Sequence, residues 1–390
     1  MQGYEPVPDE AFAKARKCFR ELEDWMASGE AAGLRHGELE EQLDVRGREL
    51  LRRLFQDRLD LTASREERRH DVTGEDGVVR TRAEKGRTRP LVTKFGQVTV
   101  SRIACRSPGR PNVHPLDAAL SLPEEKHSRG LRKLAAVEAA RGSIEAAGAA
   151  VTRATGVRTG KRQLEGLARR AAAHVEAYYA WRVIEPAPDG HPLVLTFDGK
   201  GIVMLPDALR PATAKAAAAS ENKLTTRLSP GEKSGRKRMA GLACVYDAVP
   251  VPRTPGDIIS TPAQNGNARQ VAAGIRRRAT ACRYSPAERA GAGECARYLD
   301  NKKDYLGYAT ALRKGWPIAT GIIEGACRSI VMDRMDITGV KWGLEGAEAI
   351  LKLRALIASG DFDDYWRYHL RREHERIHHA RYQEAYILAA

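Results

Sequence analysis

His191-Pro192-Leu193-Val194-Leu195-Thr196-Phe197-Asp198-Gly199-Lys200-Gly201-Ile202-Val203-Met204 is the stretch on which the fold of this 390-residue chain turns. Its apolar run predicts a buried strand, a tight turn at Asp198-Gly199 and a second strand. In the first of these, Val194, Thr196 and Asp198 share one face, and Leu193, Leu195 and Phe197 share the other. An ionised carboxylate at the end of so apolar a strand has to be hydrated, paired or bound to a metal. The plainer reading makes Asp198 a hairpin residue chosen for its turn. A third strand, Met239-Ala240-Gly241-Leu242-Ala243-Cys244-Val245-Tyr246, follows the basic segment 223–238.

A second informative stretch is Trp316-Pro317-Ile318-Ala319-Thr320-Gly321-Ile322-Ile323-Glu324-Gly325-Ala326-Cys327-Arg328. Thr320 suits an N-cap, which places Glu324 in the first turns of a helix whose apolar side is Ile322, Ile323, Ala326 and Ile330. Gly325 beside it leaves room for another backbone or a substrate. The plainer role for Glu324 is to complement the helix dipole. Downstream, Arg328, Asp333, Arg334, Lys341 and Trp342 form a mixture suited to phosphates and a stacked base.

Working outward, the chain carries 65 Lys and Arg against 50 Asp and Glu, a net charge of +15. A field of that sign favours polyanions, which in a cytosol means nucleic acid above all. The basic residues are grouped at 80–110, 153–170, 223–238 and 269–289, a spread that fits an extended partner better than one small anion. Taken singly, each group is also explained as a solvated face. Between Gly142 and Ala171 a short helix, a glycine turn at Thr155-Gly156-Val157 and a basic helix outline a helix-turn-helix. Lys161, Arg162 and Gln163 would open its second helix, where phosphates and base edges are reached. Residues 11–61 read as helical, Val92–Val100 as a strand pair turning at Gly96, and the proline-rich stretch from Ser107 to Pro123 as a linker.

Other classes are excluded or left weak. No run approaches ~18 apolar residues, so no membrane span is expected. The opening Met1-Gln2-Gly3-Tyr4-Glu5 lacks the basic and apolar regions of a signal peptide, and the six scattered cysteines suit a reducing cytoplasm. A metabolic phosphate-binding enzyme would need a glycine-rich phosphate loop, and none is present. Near the C-terminus, His369, His374, His378 and His379 sit among Arg371, Arg372, Glu373, Glu375 and Arg376. That company reads as a solvated face rather than a metal site.

Several separated motifs together resemble one family, the ISKra-type insertion-sequence transposases of bacteria, which are DDE recombinases. The matching text is Leu195-Thr196-Phe197-Asp198-Gly199-Lys200-Gly201, Arg227-Leu228-Ser229-Pro230-Gly231-Glu232-Lys233 and Val245-Tyr246-Asp247 with Pro250-Val251-Pro252-Arg253-Thr254-Pro255. It continues in Gly321-Ile322-Ile323-Glu324-Gly325-Ala326-Cys327-Arg328, Asp333-Arg334-Met335-Asp336 and Trp342-Gly343-Leu344-Glu345-Gly346-Ala347-Glu348. Upstream, the Phe95-Gly96 strand pair, Pro115-Leu116-Asp117, Leu122-Pro123 and the helix-turn-helix also look like that family, so the likeness covers nearly the whole chain.

The resemblance implies an α+β multidomain chain with an incomplete ribonuclease-H-like sheet. Its expected parts are a helical region at 1–70, a small β-rich basic region at 71–125 and a helix-turn-helix at 126–188. A catalytic domain at 189–360 and a C-terminal helix at 361–390 would follow. It also implies that Asp198 and Glu324 are the first and last catalytic carboxylates and bind magnesium for phosphodiester cleavage and strand transfer. Duplex DNA carrying the element's terminal inverted repeats is the expected partner in a bacterial, nucleoid-associated setting. The expected contacts are Lys161, Arg162 and Gln163, with Lys233, Arg236, Lys237, Arg238, Arg328, Arg334, Lys341 and Trp342. A homo-oligomer is left open.

The sequence departs from the family at the second carboxylate. No Asp-x-x-His-x-x-Glu-Tyr-Leu-Trp string occurs between Asp247 and Glu324, and the proline-rich residues 249–267 are too short for the helix–strand–helix excursion that should hold it. An internal block near 253–268 therefore looks lost. The chain reads as a transposase with impaired catalysis or, alternatively, as a non-catalytic DNA-binding remnant.

Overall fold

Apolar residues recurring every three or four positions from residue 11 onward form two helices, α1 (Ala13–Met26) and α2 (His36–Ser64). They run antiparallel: the Ala15 N–H donates to Asp57 Oδ2 at 2.9 Å, Lys14 pairs with Asp60 at 3.2 Å, and the Arg46 guanidinium lies 4.2 Å from the Trp25 ring centre. The computed structural model describes residues 7–70, 72–219, 236–254, 268–318, 320–337 and 340–382. It divides into two units, one comprising Met1–Arg182, Val203–Lys237 and Asp333–Ala390, the other Val183–Ile202 and Arg238–Met332. Both α-helices and antiparallel strands are present, an α+β composition. Lys233, the Arg227–Lys233 motif and most of the segment near 253–268 lie outside the described residues. Among the described residues no helix is long and apolar enough to cross a membrane.

In the first unit, β1 (Arg82–Thr93) and β2 (Gly96–Arg106) pair antiparallel, with Pro90 opposite Thr99 and a bulge between Glu84 and Arg87. Gly96 takes φ +117, which only glycine adopts readily, and the Thr93 hydroxyl closes the turn by donating to the Gly96 carbonyl at 2.8 Å. Leu91, Val98 and Val100 pack with Leu59 of α2 and with Leu122. The proline-rich stretch expected to be a linker is instead part of this core. Pro115–Ala119 forms a helical turn, and buried Asp117 meets Arg102 Nε at 2.9 Å and Arg89 at 3.7 Å. Two arginines of the sheet need a buried carboxylate, and the prolines shape the chain that supplies it.

Next come α3 (Arg129–Arg141), α4 (Ile144–Thr155), α5 (Lys161–Ala171) and α6 (Val175–Trp181). Ser128 and Ser143 cap α3 and α4, accepting the backbone N–H groups of Leu131 and Ala146 at 3.2 and 3.0 Å. Gly156 ends α4 in the left-handed region at φ +69, as the Thr-Gly-Val signal predicts. Leu131, Ala135, Val151, Leu164 and Leu167 form the shared core of α3, α4 and α5.

The second unit contains β3 (Leu193–Val203) and β4 (Lys237–Asp247), whose last and first residues belong to the first unit. Ala248 N–H donates to the Pro192 carbonyl at one end of the ladder and Met204 N–H to that of Arg236 at the other, so the pair is antiparallel. The expected turn at Asp198-Gly199 does not form, and the three expected strands are two. Pairing along β4 keeps β3 straight through the Asp-Gly step, because a long ladder outweighs a two-residue turn preference. The unit continues with α7 (Ala268–Ala281) and α8 (Pro286–Lys302), which pack together with Arg276 paired to Asp300 at 2.7 Å, and with α9 (Gly321–Ala326).

The first unit closes with α10 (Leu344–Ala358) and α11 (Phe362–Ile377). Here only His379 of the histidine cluster expected on a solvated face is exposed; His374 is half-buried, and His369 and His378 are buried. His369, Glu373 and His378 are 0%, 3% and 4% exposed, while Arg371, Arg372 and Glu375 occupy the outer side of the helix. Arg132 of α3, also fully buried, donates to Glu373 Oε2 at 2.8 Å and to His369 Nε2 at 3.2 Å. Arginine only donates, so His369 Nε2 must be the acceptor and Nδ1 carries the proton. That proton is directed at His174 Nδ1, 3.0 Å away.

Candidate functional site

Asp198 lies in the middle of β3, exposed, with Oδ1 accepting the Gly199 N–H at 2.7 Å. Strand alternation puts Thr196 and Lys200 on the same face, and the antiparallel partner contributes Leu242, Cys244 and Tyr246 there. All five are half-buried, whereas Leu193, Leu195 and Phe197 on the opposite face are 59%, 52% and 71% exposed. The sheet therefore has one more sheltered face, on which Asp198 itself remains exposed.

Glu324 stands in the first turn of α9 and is exposed. Thr320 precedes the helix as expected, but its hydroxyl caps nothing; it donates to Glu324 Oε1 at 2.6 Å. One turn further on, Cys327 begins a π-helical segment, Cys327–Met332. Such segments are rare and recur at functional sites. The Cys327 thiol is 5% exposed and hydrogen-bonds to the Asp198 carboxylate. Burial first, and then that bond to Asp198, push the thiol up to about 11, so at neutral pH it is protonated and donates. Glu324 lies three residues before Cys327, but its carboxylate is exposed and paired with Thr320, and the groups that act most on the thiol are Asp198, Cys244 and Lys200. The thiol thus joins the strand of Asp198 to the end of the helix that carries Glu324, whose own carboxylate is held by Thr320. Cys327 was not among the expected site residues, although its i+3 spacing from Glu324 was visible in the sequence.

The donor set fits part of what the resemblance implies. Two carboxylates offer hard oxygen ligands that suit magnesium. A protonated, soft thiol does not. Among the described residues no group of three or more His, Cys, Asp and Glu side chains is arranged to hold a metal ion. Among the described residues no further carboxylate joins Asp198 and Glu324, and these two alone do not make up a two-metal centre.

Among the described residues, the expected nucleic-acid contacts fall into four sets. In the α4–α5 hairpin the expected Lys161, Arg162 and Gln163 are exposed, as is Arg158, which was not among the expected contacts. Lys161 pairs with Glu145 at 3.2 Å, and Gln163 turns back to accept the Gly160 N–H at 3.3 Å, serving as a helix cap rather than projecting freely. Around β4, Arg236 and Arg238 are half-buried, and Lys237 is exposed and paired with Asp336 at 3.4 Å. Arg328 and Lys341 are exposed.

Arg334 and Trp342, expected to face DNA, are buried. They are 3% and 8% exposed, and the guanidinium lies 4.7 Å from the Trp342 ring centre. Arg334 Nε donates to the Ala139 carbonyl at 3.3 Å and Trp342 Nε1 to that of Met335 at 3.1 Å. Burial, with Arg354 nearby, lowers Arg334 to about 10. A ring already stacked on arginine inside the fold is not a platform for a base.

No protein-family model matches the chain, and no curated protein matches it either.

Proposed function

We propose that this chain binds duplex DNA as a transposase-type protein that occupies insertion-sequence ends in a bacterial nucleoid, with strand-transfer chemistry impaired. The observation that carries the reading is the α4–α5 hairpin. A buried apolar core fixes two helices around Gly156, and Arg158, Lys161 and Arg162 gather at the exposed start of the second helix. Helix N-termini and basic side chains both attract phosphate, and a helix entering the major groove does so by that end. The net charge of +15 and the basic clusters elsewhere supply the long-range attraction.

Asp198 and Glu324 support the transposase-type part of the reading, since Asp198 stands on β3 and Glu324 on α9, and Cys327, which follows α9, hydrogen-bonds to Asp198. Phosphodiester transfer by paired metal ions needs both the attacking and the leaving oxygen stabilised. Among the described residues Asp198 and Glu324 are joined by no third carboxylate, which leaves one of those roles unfilled, and each unfilled role costs about 3 kcal/mol or more of barrier. The impaired reading is therefore favoured over full activity.

The test is incubation of the full chain with a duplex bearing the element's terminal repeat, with magnesium or manganese present, followed by native and denaturing gels. The expected result is a retarded duplex with intact strands. Nicking that disappears in Asp198→Ala would overturn the impairment, and a duplex that is never retarded would overturn the DNA-binding reading.

A further inference from the structure

We propose that the trough between α1 and α2 is the docking site for the same hairpin of a second copy of this chain, giving an antiparallel four-helix dimer. The trough has a volume of about 450 Å³ and is lined chiefly by Phe12, Phe19, Leu50 and Leu54. Phe19 and Leu54 remain 48% and 41% exposed, and Met26 beside them 42%. On α1, Phe12, Phe19 and Met26 recur every seven residues, and Leu43 and Leu50 do so on α2. That is the repeat with which helices pack knobs into holes against a partner.

The charges beside the stripe select the occupant. Arg16 and Glu23 are both exposed, seven residues apart, and lie on the same flank of the Phe12–Phe19–Met26 stripe. Two α1 helices related by a two-fold axis between Phe19 and Arg20 run antiparallel and bring equivalent flanks together. Arg16 of each copy then faces Glu23 of the other, twice over, with the two Phe19 rings near the axis. A parallel copy would separate the pairs onto opposite flanks. An unrelated helix would find the apolar groove but no reason for this reciprocal spacing. Lys14 and Asp57 are occupied in holding α1 to α2, so the hairpin presents the groove ready formed.

The test is sedimentation equilibrium of the full chain without DNA. The wild type is expected to be a dimer at about 50 μM. Phe19→Glu should give a monomer with unchanged helical circular dichroism. Arg16→Glu and Glu23→Arg should each weaken the dimer by about tenfold, because attraction becomes repulsion at both symmetric sites. The doubly swapped R16E/E23R chain should regain the wild-type constant. The rescue does not depend on whether Phe19→Glu folds. A monomeric wild type, a dimer indifferent to the single charge changes, or a double variant no better than the singles would each overturn the proposal.

Discussion

Replacing Glu373 by alanine should cost the first unit about 3–5 kcal/mol, the usual penalty for leaving one partner of a buried ion pair alone. Arg132 is fully buried and draws its neutralising charge from Glu373 and from Glu125, which accepts from its other terminal nitrogen. Arg376 and Arg129 also lean on Glu373, at 3.1 and 3.9 Å. Burial alone would raise the Glu373 carboxyl, but the Arg132 hydrogen bond overrides it and holds the group at about 2. Chemical denaturation of Glu373→Ala against wild type measures the loss, and a change under about 1 kcal/mol would contradict the network.

The same network sets a pH response. Burial, aided by Arg132, lowers His369 from 6.5 to about 3, and burial lowers His378 to about 4. The unfolded chain therefore takes up protons below about pH 6.5 that the folded chain refuses until near pH 3–4. Stability from these histidines is complete above that window and falls as the pH descends through it. Glu373 adds a loss of the same sign between 4.5 and about 2.

Reversing Arg158 and Arg162 together to glutamate should reduce duplex-DNA affinity by about a hundredfold or more. Both side chains are exposed at the start of α5, so the change alters the surface field without opening the core formed by Leu164 and Leu167. Two charges change sign, a swing of four units, in the turn before α5 and in its first turn. Fluorescence anisotropy with a labelled duplex reads the effect, and the melting temperature verifies that the fold is intact. A folded double variant that binds as well as wild type would remove the hairpin from the interface.

Local signals were legible where local energetics decide the structure. Gly96 and Gly156 take positive φ, and the turn at one and the helix end at the other fall where the sequence places them. Asp198-Gly199 shows the opposite case. Its turn preference is real, but it is outweighed by a ladder whose other strand begins some 40 residues later. The C-terminal histidines divide for a related reason: His369 and His378 are buried and His379 is exposed, a split that the charged residues between them do not reveal. Tyr365, His369, Glu373 and Ile377 follow one another at four-residue spacing, which marks a buried face once the partner Arg132, more than 230 residues away, is known. At the candidate site, Asp198 and Glu324 could be selected from the sequence, whereas the thiol that links their elements appears only when the helix is laid on the sheet.

The salt dependence of binding to duplex DNA tests the central claim most directly. Titrating a labelled duplex with the full chain at several salt concentrations gives log K against log salt. If α5 and its basic surroundings neutralise four or more phosphates, the slope should be roughly −3.5 or steeper, at about 0.9 per phosphate. A slope near zero, or no measurable binding at about 0.1 M salt, would contradict the account.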